Sequence, residues 1–222
     1  AGLRDRPVGA VVGEDGATVQ DAIEAAPPNT TVLVPGGRYE APIEIEKPVT
    51  LRGRGDARIE GDGNGTVVTV RASQSAIVGV NVSGVGGSTR GRTVDEDHGH
   101  GGVGGGSHNH GDAAGDDTWD AGIEDDYAQG DAAIEVVAAS DVLIADTEID
   151  TSAAGIILYD APDAIVRNTT VAGSENYREG HMGVVAMRSP GVDEKSMFVG
   201  GLDGVNTHRS DGIVVRGNEM YD

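Results

Sequence analysis

"AAIEVVAASDVLIADTEIDTS" (Ala132–Ser152) is followed almost at once by "AGIILYDAPDAIVRNTTVAGS" (Ala154–Ser174). The two align without a gap. Ile134 to Ile156, Leu143 to Ile165 and Ile149 to Val171 are each 22 residues apart. "TVVTVRASQSAIVGVNVSG" (Thr66–Gly84) fits the same template with small slips, and two later copies start at Gly183 and Gly204. Each copy holds two or three short β-branched runs divided by Gly, Pro, Ser, Asp or Asn, the residues that make turns. No helical periodicity lies between the runs, which argues against βαβ units. A repeat of this length with three strands and three corners is one coil of a right-handed parallel β-helix, its coils stacked ~4.8 Å apart. A β-sandwich is the competing all-β arrangement, but identical registers from copy to copy favour stacking.

The opening segment fits that architecture. "TVQDAIEAAPP" predicts a short capping helix over residues 18–27, with Thr18 as N-cap, Asp21 at the third helical position and Pro27 as its stop. Val19, Ile23 and Ala22 give it an apolar face, suited to covering the open end of a solenoid. The chain reads as one β-helix domain over 1–222. No matching lid appears at the other end, where "RGNEMYD" follows a strand, so the parent protein is expected to continue or a partner to cover that end. "AGLRDRP" at the start suits a mature product after leader cleavage.

Composition narrows the function. Among 222 residues, 16 Lys+Arg stand against 37 Asp+Glu, a net charge of −21, and only Lys47 and Lys195 are lysines. Such a surface repels itself in dilute buffer and is screened by concentrated salt, as in a protein of a halophile. It argues against nucleic acid, which requires a basic footprint. There is no cysteine, so disulfides and thiolate metal sites are excluded. No apolar run is long enough to span a membrane.

One segment does not repeat. Residues 85–130 are rich in Gly, Asp and His and interrupt the stack between two coils. "DEDHGHGGVGGGSHNHGD" (Asp95–Asp112) carries two His-x-His pairs, His98/His100 and His108/His110, flanked by Asp95, Asp97 and Asp112. Imidazole in this density suits Cu(II), Zn(II) or Ni(II), with copper bound tightest, although the spacing is that of no structural zinc site. The alternative is a solvated loop with incidental affinity, since ordering so much glycine costs entropy.

A second cluster follows from strand parity. If Ile134, Ile156, Val184 and Val205 point inward, then Val137, Tyr159, Met187 and His208 form an outward ladder. Met187 and His208 then occupy adjacent rungs, with His181 and Met182 just before the same strand. Thioether with imidazole favours copper, Cu(I) above all. The plain alternative is an ordinary surface ladder. A neighbouring outward column, Ile157 and Val185, is unusually apolar and marks either a partner surface or the underside of the insert.

The lid helix, "VPGGRY", "KPVTLRGRG" and the repeats "DAIVRNTTV" and "DGIVVRGNEM" together resemble the NosD family, over nearly the whole chain outside residues 85–130. Those are extracytoplasmic β-helix proteins that accompany an ABC-type transporter during maturation of the copper enzyme nitrous oxide reductase. The resemblance implies a non-catalytic accessory protein, located outside the cytoplasm, with transporter components and a copper enzyme or copper chaperone as partners. The His-rich insert maps onto no family motif and rests on its chemistry alone. Carbohydrate-active β-helices share the opening, and "GGRYE" resembles the entrance of pectin methylesterases. "HGHG" is similar to the Gly-His-Gly of polygalacturonases, but the paired aspartates and Arg-x-Lys that accompany it there are absent from their expected order. Asp160, Asp163, Arg167 and Asp211 are available, yet most fall at one repeating corner where Asp serves a turn. An enzyme is therefore not expected. A carbohydrate-binding or carbohydrate-active, pectin lyase-like β-helix and a purely structural solenoid module remain the alternatives.

Overall fold

Strands Ala132–Val137, Ala154–Tyr159, Met182–Met187 and Asp203–His208 lie side by side in parallel register, so that Ile134, Ile156, Val184 and Val205 fall in one row. The first step of that row is the 22-residue spacing, and the next two are 28 and 21 residues. In the computed structural model, residues 2–86, 131–173, 182–199 and 203–221 are described. They form a right-handed parallel β-helix of about seven turns. Three parallel sheets run its length, of eight, seven and six strands. Each coil passes from the six-stranded sheet to the eight-stranded, then to the seven-stranded, then up to the next coil. The segments 87–130 and 174–181 both fall between a strand of the seven-stranded sheet and the next strand of the six-stranded one.

The helix Val19–Ala25 forms as expected. Thr18 accepts the amide of Asp21 while the Asp21 carboxylate accepts the Thr18 amide, a complete capping box. Val19, Ala22 and Ile23 are buried against the first coil. Inside the solenoid the core is a stack of Val, Ile, Leu and Ala contributed by all three sheets, with Phe198 the one phenylalanine in it. Ile134, Ile144 and Ile149 represent one coil in that core, and Ile156, Val166 and Val171 the next. Each buried Ile or Val contributes ~1.5–3 kcal/mol relative to exposure.

Corners use two devices. Asp141, Asp146, Asp160, Asp163 and Asn168 adopt positive φ, the left-handed conformation that Asp and Asn tolerate best among residues with a Cβ. The corner amides that miss the ladder are satisfied from the next coil. Ala161 N–H donates to Ser189 Oγ at 2.9 Å, and Ser189 N–H donates to Ser210 Oγ at 2.9 Å. Ser189 Oγ donates in turn to the Met187 carbonyl at 2.7 Å, although the residue is fully buried. At another corner Ser196 N–H donates to Asn218 Oδ1 at 2.7 Å.

The long strands of the six-stranded sheet require glycine at two positions. A Cβ on Gly183 would stand 2.3 Å from the Gly204 carbonyl oxygen and 2.4 Å from the Phe198 ring. Gly155 meets Gly183 and Val171 in the same way one coil earlier. Ser189→Ala should cost about 1–3 kcal/mol by stranding the Ala161 amide. Gly183→Ala should cost more, because backbone has to move. Urea unfolding of the two variants checks this, and an unchanged midpoint for either contradicts the account.

Candidate functional site

The outer face of the six-stranded sheet carries most of the candidate residues. Parity sends Glu44, Thr69, Glu135, Ile157, Val185 and Asn206 outward in one column. Val137, Tyr159, Met187 and His208 form the neighbouring column, as the parity of the sequence predicts. Met187 and His208 are direct register partners on adjacent coils. Met182 belongs to the same strand but to its first position, five residues away, where it pairs with Ala154 and Asp203. At ~3.3 Å per residue the two methionines are some 16 Å apart along the strand, so they cannot share one metal ion.

This face is not an ordinary solvated ladder. Ile157, Val185, Met182 and Met187 are all buried and form an apolar cluster separate from the core, with Ala132, Ala154 and Tyr159 packed with them. Met187 is 0% exposed. His181, His98, His100, His108, His110, Asp95, Asp97 and Asp112 lie outside the described residues. Among the described residues, no group of three or more His, Asp or Glu is placed to hold a metal ion.

Two polar features interrupt the apolar strip. Glu135 is half-buried between Thr69 and Ile157 in its column. Burial pushes its carboxyl above the ordinary range and the Asp131 charge adds to that, while Arg71 acts in the opposite direction. At the corner that follows the sheet, Arg188 Nε and Nη2 donate to the two Asp160 oxygens at 2.8 and 2.6 Å. The same guanidinium lies over the Tyr159 ring, 4.5 Å from its centroid. The Arg188 hydrogen bonds hold the Asp160 carboxyl below its usual range. The face therefore offers a carboxyl group whose charge burial disfavours, an apolar shelf, a stacked Tyr–Arg–Asp corner and a Met–His pair.

Glu135 and Arg188 were not among the residues singled out from sequence. Glu135 carried a usable signal. It is the one charge in "AAIEVV", and the column continues from it through the apolar Ile157 and Val185. Arg188 gave none, since its partner Asp160 is 28 residues away.

No protein-family model and no curated protein matches the chain. Solved structures do, and they are pectin-lyase-like right-handed parallel β-helix proteins. A polygalacturonase from Erwinia carotovora ssp. carotovora superposes with a TM-score of 0.63 at 13% identity, over 97% of this chain and 63% of that one. The family 28 exopolygalacturonase of Yersinia enterocolitica gives 0.61 at 12% identity, over 98% and 54%. An alginate lyase from Paenibacillus sp. str. FPU-7 gives 0.51 at 15% identity, over 91% and 73%. The likeness is one of fold, and the chain spans less than two thirds of either polygalacturonase.

Because the folded state raises the Glu135 pKa, it binds that proton more tightly than the unfolded chain does. The carboxyl then costs no stability below its ordinary value of 4.5. The cost grows as pH rises through the folded pKa and is complete above it. Glu135→Gln should therefore be more stable than the parent at neutral pH, with the gap closing below pH 4.5. Urea titrations at the two pH values test this, and a gap that widens in acid refutes it.

Proposed function

We propose that this chain is a non-catalytic, extracytoplasmic accessory protein of copper-enzyme maturation that captures or presents copper, as its resemblance to the NosD family implies. The observation that carries the reading is the register pairing of Met187 with His208 on adjacent coils. A thioether beside an imidazole is a soft donor pair suited to Cu(I), and strand spacing holds the two at a separation that one ion bridges. The apolar surroundings of Met187 favour a low-charge ion over a hydrated dication. In this reading Met182, at the far end of the strand, does not join that pair, and His181, which precedes it in sequence, is a separate donor. The His98/His100 and His108/His110 pairs, with Asp95, Asp97 and Asp112, supply a harder nitrogen and oxygen set for Cu(II), and zinc or nickel competes there. Partners in this reading are components of an ABC-type membrane transporter and a copper enzyme or copper chaperone. The net charge of −21 suits a salt-rich setting outside the cytoplasm.

A second reading has one observation in its favour. Tyr159 with Arg188 and Asp160, beside the Glu135 column, presents an aromatic and hydrogen-bonding corner on a β-helix face. The structural neighbours include polygalacturonases and an alginate lyase. A carbohydrate-binding solenoid would use that corner for an acidic sugar.

Calorimetric titration with Cu(I) and Cu(II), with zinc as competitor, separates the two. Met187→Leu and His208→Ala should each weaken Cu(I) binding by roughly tenfold or more, about 1.4 kcal/mol. Alanine at His98, His100, His108 and His110 together should remove Cu(II) binding. Copper affinity untouched by both sets defeats the copper role. Polyuronate binding that survives chelation and is lost in Tyr159→Ala establishes the second reading in its place.

A further inference from the structure

The chain's own opening residues lie across the outer face of the eight-stranded sheet. Thr31 Oγ1 donates to the Arg6 carbonyl at 2.9 Å, and Thr50 Oγ1 donates to the Leu3 carbonyl. Leu3 packs on Ala76, Val78, Leu143 and Ala145, and Arg4 Nη1 donates to Asp146 Oδ2 at 2.7 Å. Residues 3–6 therefore cross strand after strand as a strap, with an apolar side chain seated on the sheet and a charge paired at its corner.

The same columns continue beyond the strap. Leu143 is in register with Ile165, and Ile165 with Val214 through Val192. Leu143, under the strap, is 7% exposed, whereas Ile165 is 38% and Val214 is 42%. The strand of Ile165 is paired on both sides, so its exposure is not an effect of the solenoid's end. The charge at the corner changes sign along the way. Asp146 is succeeded by Asn168 and then Lys195, all with positive φ. Beside them Arg167, at 3.7 Å, and Arg216, at 2.6 Å, flank Glu194. Three cations thus surround one carboxylate in a chain of net charge −21. Asp163 and Asp211 stand at the opposite edge of the sheet, so the favourable side for an anion is the Arg/Lys edge.

We propose that this strip, from Ile165 and Arg167 to Val214 and Arg216, seats an extended peptide segment of a protein partner that carries apolar side chains alternating with carboxylates. It repeats the strap's mode of binding with the charge reversed. The apolar side chains take the exposed Ile165–Val214 column as Leu3 takes the Ala76–Leu143 column. The carboxylates lie along Arg167, Lys195 and Arg216, where Arg4 instead met Asp146. Apolar contact supplies affinity, and the edge cations supply sign selectivity in a protein that otherwise repels acidic chains.

The test uses the full chain and a fluorescein-labelled synthetic peptide of alternating leucine and aspartate, read by fluorescence anisotropy. A peptide with lysine in place of aspartate is the comparison. The aspartate peptide should bind more tightly, and raising salt from about 0.15 M to about 1 M should weaken it. Ile165→Glu and Lys195→Glu should each cost roughly tenfold in affinity. Lys195 is exposed, so its variant reports even where Ile165→Glu unfolds. Met187→Leu and His208→Ala, which bear on the copper reading, should leave peptide binding unchanged. Equal binding of both peptides, or folded variants that bind as the parent does, overturns the proposal.

Discussion

Parallel pairing in register places each side chain directly on its counterpart one coil away, and everything else in the molecule answers to that constraint. A residue is accepted at a position only if it can stack on what the neighbouring coil puts there. Aliphatic side chains stack well, so the interior can be built almost without aromatics. Gly155 and Gly183 occur where the next coil's carbonyl comes within the reach of a Cβ. Buried hydroxyls recur for the opposite reason. Ser189 and Ser210 each take the corner amide of the coil before, so one missing backbone bond is replaced by a side-chain column.

Charge is the hardest thing to stack, because a column of like charges one strand apart repels itself. The molecule disposes of its acidity in two ways. Many aspartates stand at corners, where solvent screens them and where their tolerance of positive φ is needed in any case. Within the sheets, signs alternate along the column Arg167–Glu194–Arg216, and where Arg38 stacks on Arg58 and Glu40 on Glu60, Arg38 pairs diagonally with Glu60. The scarce arginines are thereby spent on joining coils. Arg188 bridges Asp160 and Tyr159, and Arg4 ties the opening strap to the corner at Asp146.

Repetition explains which parts were legible in the sequence. The 22-residue offset between Ile134 and Ile156 gave the coil, and parity within the coil gave the Tyr159–Met187–His208 ladder. The capping box at Thr18 and Asp21 was equally clear, because its partners are three residues apart. What a repeat conceals is burial on the outside of a sheet. Nothing local distinguishes an outward Ile157 under cover from one in water, and the structure shows it buried. Pairings between coils by residues outside the repeating strands were also hidden. Arg4 with Asp146 spans 142 positions and has no periodic signature.

A site on a solenoid has to be a departure from its own ladder. Where equivalent residues repeat, the surface presents the same chemistry at every coil and holds a ligand at no particular one. Glu135 stacks on the apolar Ile157, and Met187 meets His208 where earlier coils have Val137 and Tyr159. The corner that is Asp146 on one coil is Lys195 two coils later. Each departure forgoes the gain that a matched neighbour brings, and Glu135 does so visibly, in a carboxyl whose charge burial disfavours. Stacking alone selects against such residues. Their presence on two of the three sheets keeps the two proposed sites on surfaces that share no side chain.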